Sequence, residues 1–96
     1  MDAATEIYLW TDRARTAYAR LRAHAGHWRL EWGHRDPPGG DQEMEAGRHL
    51  TSDPEDAVEQ MGACIRKLSD DPAEAARAER ELRETLGLPP RRASRR

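Results

Sequence analysis

The chain has no phenylalanine, no asparagine, a single cysteine and a single lysine. Its longest continuous apolar stretch is Ile7-Tyr8-Leu9-Trp10, far short of the ~20 residues a membrane-spanning helix needs. Leucine, isoleucine and valine together number eleven in 96 residues. That share is below the roughly 20% which, combined with high net charge, marks disorder. The second condition fails, because 16 basic residues against 18 acidic ones leave a net charge of −2. Three Trp, two Tyr and three Met enlarge the apolar set, which predicts one ordered domain with a thin core.

Cys64 stands alone, which excludes an internal disulfide framework and points to a reducing cytoplasm. Asp2, Glu6 and Asp12 interrupt the first fifteen residues, so no secretory leader is expected there. Fifteen arginines against one lysine, with fifteen alanines, suggest a GC-rich genome of bacterial or phage type. Under that bias an arginine is weak evidence of selected chemistry.

Charge is unevenly placed. Residues 13–30 hold Arg13, Arg15, Arg20, Arg22 and Arg29 and no acid, whereas residues 41–90 hold 13 acids against six bases. Arg91, Arg92, Arg95 and Arg96 close the chain and predict a disordered basic tail over 91–96, after a single α+β domain over 1–90.

Residues 5–25 read as a first helix, with Ile7, Trp10, Ala14, Ala17, Tyr18, Leu21 and Ala25 on one arc and Gly26 as its stop. Beyond it the period becomes two, and Trp28, Leu30 and Trp32 share a strand face. The Asp36-Pro37-Pro38-Gly39-Gly40-Asp41 turn leads to a second strand near 42–50, with Met44, Ala46 and Leu50 on one face and Arg48 interrupting it. Glu43 and Glu45 are the expected cross-strand partners of Arg29. Asp53-Pro54-Glu55-Asp56 and Asp71-Pro72-Ala73-Glu74 each open a helix, with Asp as N-cap and Pro as first helical residue. The apolar arcs are Ala57, Val58, Met61, Ile65 and Leu68 for one, and Ala75, Ala78, Leu82 and Leu86 for the other, which Gly87 should end. The predicted order is therefore α–β–β–α–α, a two-stranded antiparallel hairpin packed on helices.

No catalytic constellation emerges. The chain has no phosphate-cradling glycine loop, no nucleophile elbow and no HExxH helix. His24 and His27 are close, but His34, His49 and Cys64 are isolated, which falls short of zinc-ligand spacing, and no metal or cofactor is expected. Cys64 falls on an apolar arc and reads as a small buried side chain. On a helix Ile7 to Trp10 would surround the axis, so the segment either lies between two layers or has one side covered by another chain, and the second is the reading favoured. Tyr8, Leu9 and Trp10, flanked by Arg13 and Arg20, are the expected partner surface, since Trp, Tyr and Arg are enriched at binding hot spots.

The leading expectation is a small, non-enzymatic, cytoplasmic protein-binding module of adaptor, inhibitor or regulator type that self-associates as a homodimer, with no small-molecule substrate. The alternative is a DNA- or RNA-binding regulator using Arg13, Arg20, Arg22, Arg29 and the tail arginines Arg91, Arg92, Arg95 and Arg96. An acidic second strand and a pI near 6.1 weigh against that alternative.

Overall fold

The computed structural model describes residues 4–38, 40 and 42–90. It contains β1 (Thr5–Thr11), β2 (Ala17–His24), β3 (His27–Arg35), β4 (Glu43–Thr51), α1 (Pro54–Leu68) and α2 (Pro72–Leu86). The strands form one antiparallel sheet in the order β1-β2-β3-β4, and both helices pack on the same face of it. The α+β class and single small domain stand, but the order is β–β–β–β–α–α.

The predicted helix over 5–25 is corrected to two strands. Residues 17–24 alternate strictly: Ala17, Ala19 and Leu21 enter the core, while Tyr18, Arg20 and Arg22 face away. A helix would have wrapped these residues around its axis, whereas a strand separates them cleanly by face. The first strand, Thr-Glu-Ile-Tyr-Leu-Trp-Thr, is built of β-branched and aromatic residues that favour the pleated backbone. Between the two strands Asp12 accepts from the backbone N–H of Thr16 at 2.7 Å and of Ala17 at 3.0 Å, and from the Thr16 hydroxyl at 2.7 Å. That Asx-type turn lets Arg15 adopt a φ of 60°.

Gly26 does not stop a helix. It shares with Ala25 the two-residue loop of the β2–β3 hairpin, whose flanking pair is His24 opposite His27. Both loop residues have positive φ, 51° and 83°, the signature of a type I′ turn matched to strand twist.

The apolar face expected of Met44, Ala46 and Leu50 is also corrected. Between Trp32 and Gly33 the register with β4 shifts, so that Glu45 faces Gly33 and Gly47 faces Trp32, with Ala46 as the extra residue. An inserted residue exchanges the two faces beyond it. Met44 therefore lies on the helix side, His49 follows it there, and Leu50 emerges on the opposite face, 62% exposed. A second register shift falls between Glu6 and Tyr8 on β1.

The two helices match their sequence signals. Asp53 accepts from Glu55 N–H at 3.0 Å and Asp71 from Ala73 N–H at 2.9 Å, each beside a proline at the first helical turn. Gly87, left-handed at φ 74°, closes α2 with its N–H on Glu84 O and Leu88 N–H on Arg83 O. Ala57, Val58, Met61, Cys64 and Ile65 of α1 and Ala75, Ala78 and Leu82 of α2 are buried. They meet Trp10, Ala17, Ala19, Leu21 and Leu30 of the sheet in one core, with Trp28 and Trp32 packed at its margin. At the helix–helix contact Gly62 leaves the space that the Glu79 carboxylate fills.

Candidate functional site

The face of the sheet turned away from the helices carries the most unusual chemistry in the molecule. No described element covers it, yet Tyr18 is only 2% exposed, Arg20 8% and Glu31 9%. What buries them is their own neighbours. Arg20 lies along the sheet and donates through Nε to Glu6 Oε1 on β1 at 3.0 Å. Its Nη1 and Nη2 reach Glu43 Oε1 and Oε2 on β4 at 2.9 and 2.6 Å. One guanidinium thus ties the two edge strands together from the second strand. Gly33, which sits between Tyr18 and Glu45 on this face, presents no side chain to block that path.

Arg35 adds a second contact to Glu43 Oε2 at 3.1 Å. Both guanidinium groups sit over the Tyr18 ring, 5.2 Å and 5.6 Å from its centroid, within cation–π range. The Arg20 fork holds the Glu43 carboxyl below its ordinary value, against the opposing effect of burial. Glu43 correspondingly raises Arg20. Burial, with help from Glu43, pushes the Tyr18 phenol up.

Toward the β2–β3 hairpin the pattern changes. Arg22 and Arg29 are directly opposite each other, and both lean on Glu31, with Nε–Oε distances of 3.4 and 2.8 Å. These are ionic contacts rather than aligned hydrogen bonds, since neither Nε has a hydrogen-bond partner among the described residues. The expected pairing of Arg29 with Glu43 and Glu45 is corrected. Register places Glu43 against Arg35, and Glu45 receives Arg48 Nε at 2.9 Å.

The residues expected to form a partner surface divide between the two sheet faces. Tyr8 and Trp10 lie on the helix side, where Tyr8 donates to Glu81 Oε1 at 2.6 Å and the Trp10 indole to Glu74 Oε1 at 3.0 Å. Trp10 is 5% exposed and serves the core, while burial and Glu81 push the Tyr8 phenol up. Leu9, on the open face opposite Arg20, is 39% exposed. Arg13 is exposed in the β1–β2 loop and borders a depression with Asp71, Glu74 and Arg77. Tyr8, Leu9 and Trp10 therefore belong to one strand but not to one surface.

Of the arginines expected to contact nucleic acid, the fold brings Arg20, Arg22 and Arg29 onto the open face and leaves Arg13 outside it. Arg91, Arg92, Arg95 and Arg96 lie outside the described residues. Sequence reasoning missed Tyr18, Glu6 and Glu31. The alternation of Tyr18, Arg20 and Arg22 was the signal that could have found the first of them.

A second concavity, about 210 Å³, opens between α1 and the β3–β4 pair, with Leu30, Trp32, Ala46, Cys64 and Leu68 in its walls. Burial pushes the Cys64 thiol up to about 11, so it is protonated at neutral pH and unsuited to nucleophilic work. His49 donates to Asp56 at 2.8 Å and thereby joins β4 to α1, and that bond holds the Asp56 carboxyl low. Among the described residues no group of three His, Cys, Asp or Glu side chains is placed to hold a metal ion, and no helix is long and apolar enough to cross a membrane. Comparison with protein families, with curated proteins and with solved structures finds no match for this chain.

Proposed function

We propose that this chain is a small, non-enzymatic protein-binding module that docks by strand addition at the free edge of β1, a second copy of itself being the first occupant. The observation that carries the reading is an asymmetry between the two sheet edges. Among the described residues β1 pairs with β2 alone, and its seven residues include one charge, Glu6. β4, the other edge, carries three charges, Glu43, Glu45 and Arg48, the usual device against unwanted pairing; each edge strand has one register shift, so the asymmetry is one of charge. An apolar edge strand offers its unpaired N–H and C=O groups to any extended segment, and a two-fold axis beside it makes the pairing self-complementary.

Leu9 is the residue to change, because it is exposed beside that edge and outside the core. Trp10→Ala would instead open a core cavity and confuse folding with association. Light scattering on the eluting protein should give a dimer mass for wild type and a monomer mass for Leu9→Lys. A wild-type protein that stays monomeric up to ~100 µM, well above the µM affinities of ordinary specific complexes, refutes the self-pairing form of this reading.

A second reading, nucleic-acid binding, draws support from Arg22 and Arg29 sharing the open face. Arg20 contributes little to it, since Glu6 and Glu43 occupy its donors. The aromatic side chains offer no stacking platform: Trp10, Trp28 and Trp32 face the helices, and Tyr18 is covered. Binding to mixed-sequence DNA or RNA that falls steeply between 50 and 200 mM salt is the expected outcome of this reading. Absence of binding at ~50 mM, the favourable end of that range, rules it out.

A further inference from the structure

We infer that the hairpin end of the open face is an oxyanion site suited to a phosphate group. The inference stands apart from edge pairing on β1, and it gives the nucleic-acid reading a location. Arg22 faces Arg29 across β2 and β3, and two residues further out His24 faces His27. Side chains two apart on a strand lie on the same face, and directly opposed pairs hold their Cβ atoms about 4.5–5.5 Å apart. Four nitrogen-bearing side chains therefore form a two-by-two patch at the tip of a tight turn.

The carboxylate within that patch is Glu31. It is nearly buried and sits between the Nε atoms of the two arginines. Glu6 opposes Arg22 from β1, but its carboxylate is engaged by Arg20 Nε. From β4, Leu50 opposes Arg29, and Arg48 opposes Glu31 with its own Nε on Glu45. No described side chain is hydrogen-bonded to the terminal Nη groups of Arg22 or Arg29, whose side chains are 32% and 34% exposed. Glu31 thus restrains the two heads from the Nε side and leaves two forks of N–H donors facing out. Paired guanidinium forks match the oxygens of a phosphate better than a flexible ammonium does.

His24 and His27 extend the donor set. His27 donates from Nδ1 to the Ala25 carbonyl at 3.1 Å, so its Nε2 is a donor toward phosphate in the imidazolium form. Both rings are exposed at the turn. The ligand class is a phosphate, whose source is either a free phosphate or phosphomonoester, or the phosphodiester backbone of a nucleic acid.

The test is a titration of the intact protein with inorganic phosphate, followed by amide chemical shifts, against sodium chloride of equal ionic strength. Saturable shifts confined to residues 22–29, weakened at least tenfold in Arg22→Gln/Arg29→Gln and severalfold in His24→Ala/His27→Ala, support the site. Shifts no larger than chloride produces, or shifts that persist in the double arginine variant, overturn it. If that variant does not fold, Arg22→Lys/Arg29→Lys replaces it, since it keeps both charges beside Glu31 but loses the forks. Retained binding there equally overturns the proposal. A parallel titration with a twelve-nucleotide single strand and its duplex separates the sources. Affinity at least tenfold above inorganic phosphate, lost in the arginine variant, assigns the site to the nucleic-acid backbone, and equal or weaker affinity assigns it to a small phosphate.

Discussion

Replacing Arg20 with Met removes a guanidinium that is 10% exposed and engages two carboxylates on opposite edges of the sheet. Glu6 is half exposed and recovers its hydration once released, so its share of the cost is small. Glu43 is 29% exposed and loses a bidentate contact at 2.9 and 2.6 Å. A hydrogen bond to a charged group contributes about 1.5–3 kcal/mol when sheltered, and an exposed ion pair about 0–1 kcal/mol. The geometry lies between these limits, so the Arg20–Glu43 coupling should be about 1.5 kcal/mol. Uncovering the Tyr18 ring adds about 0.5–1 kcal/mol of lost cation–π and packing energy. The single substitution is therefore expected to cost about 2–3 kcal/mol.

The assay is a double-mutant cycle of Arg20→Met, Glu43→Gln and the double variant, measured by urea unfolding at low salt and followed by tryptophan fluorescence. In a domain of this size a loss of 2–3 kcal/mol lowers Tm by roughly 8–24 °C. Coupling below about 0.5 kcal/mol would place the contact among ordinary surface pairs. It would refute the idea that this open face is held by its own charges, and Arg20 would return to the candidates for partner contact.

Three further outcomes follow from local geometry. Ala25→Asn should stabilise the protein by about 0.5–1 kcal/mol in thermal melts, because Ala25 holds φ 51° in a turn type that favours Asn-Gly, whereas Ala25→Val should destabilise it. Glu43 and Asp12 have lowered carboxyl values, the first held by the Arg20 fork, the second by bonds from Ala17 and Thr16 that outweigh its burial. A depressed folded-state value contributes stability above the unfolded value and loses it as pH falls, so stability should decline below about pH 4.5, with a shallower slope in Glu43→Gln. Gly62→Ala should displace the Glu79 carboxylate from its seat between the helices and so cancel the ~1 kcal/mol of helix propensity that alanine gains, and a thermal melt showing that full stabilisation would refute the packing role of the glycine.

The division between the well-read half of the chain and the misread half has a physical basis. Helices α1 and α2 are specified locally: Asp-Pro openings, a glycine stop and apolar residues at helical spacing all concern residues within a turn or two of one another. Residues 5–25 satisfy two periods at once. Trp10, Ala14, Ala17 and Leu21 fit a helical arc, while Ala17 to His24 fits strict alternation. Alanine, which makes up much of the arc, favours helix on its own but fits under a packed helix when it lies in a strand. The choice is made by partners far along the chain: β3 beside β2, and α1 above Ala17, Ala19 and Leu21.

The open face shows the same limit. Tyr18, Arg20 and Arg22 can be seen to alternate with alanines, but the acids that meet them come from β1, β3 and β4. The bulge on β4, which sends Leu50 outward and His49 toward Asp56, appears only once two strands are aligned. Sequence by itself determined the apolar stripes of α1, α2 and β3, both helix starts, the glycine stop and the α+β class, because each follows from short-range sterics and capping. Tertiary structure alone decided that Thr5–Thr11 and Ala17–His24 are strands, that Tyr8 and Trp10 face inward while Leu9 faces out, and that Arg20 is committed to two glutamates. Strand pairing is a long-range choice, and its energy comes from neighbours that no local window contains.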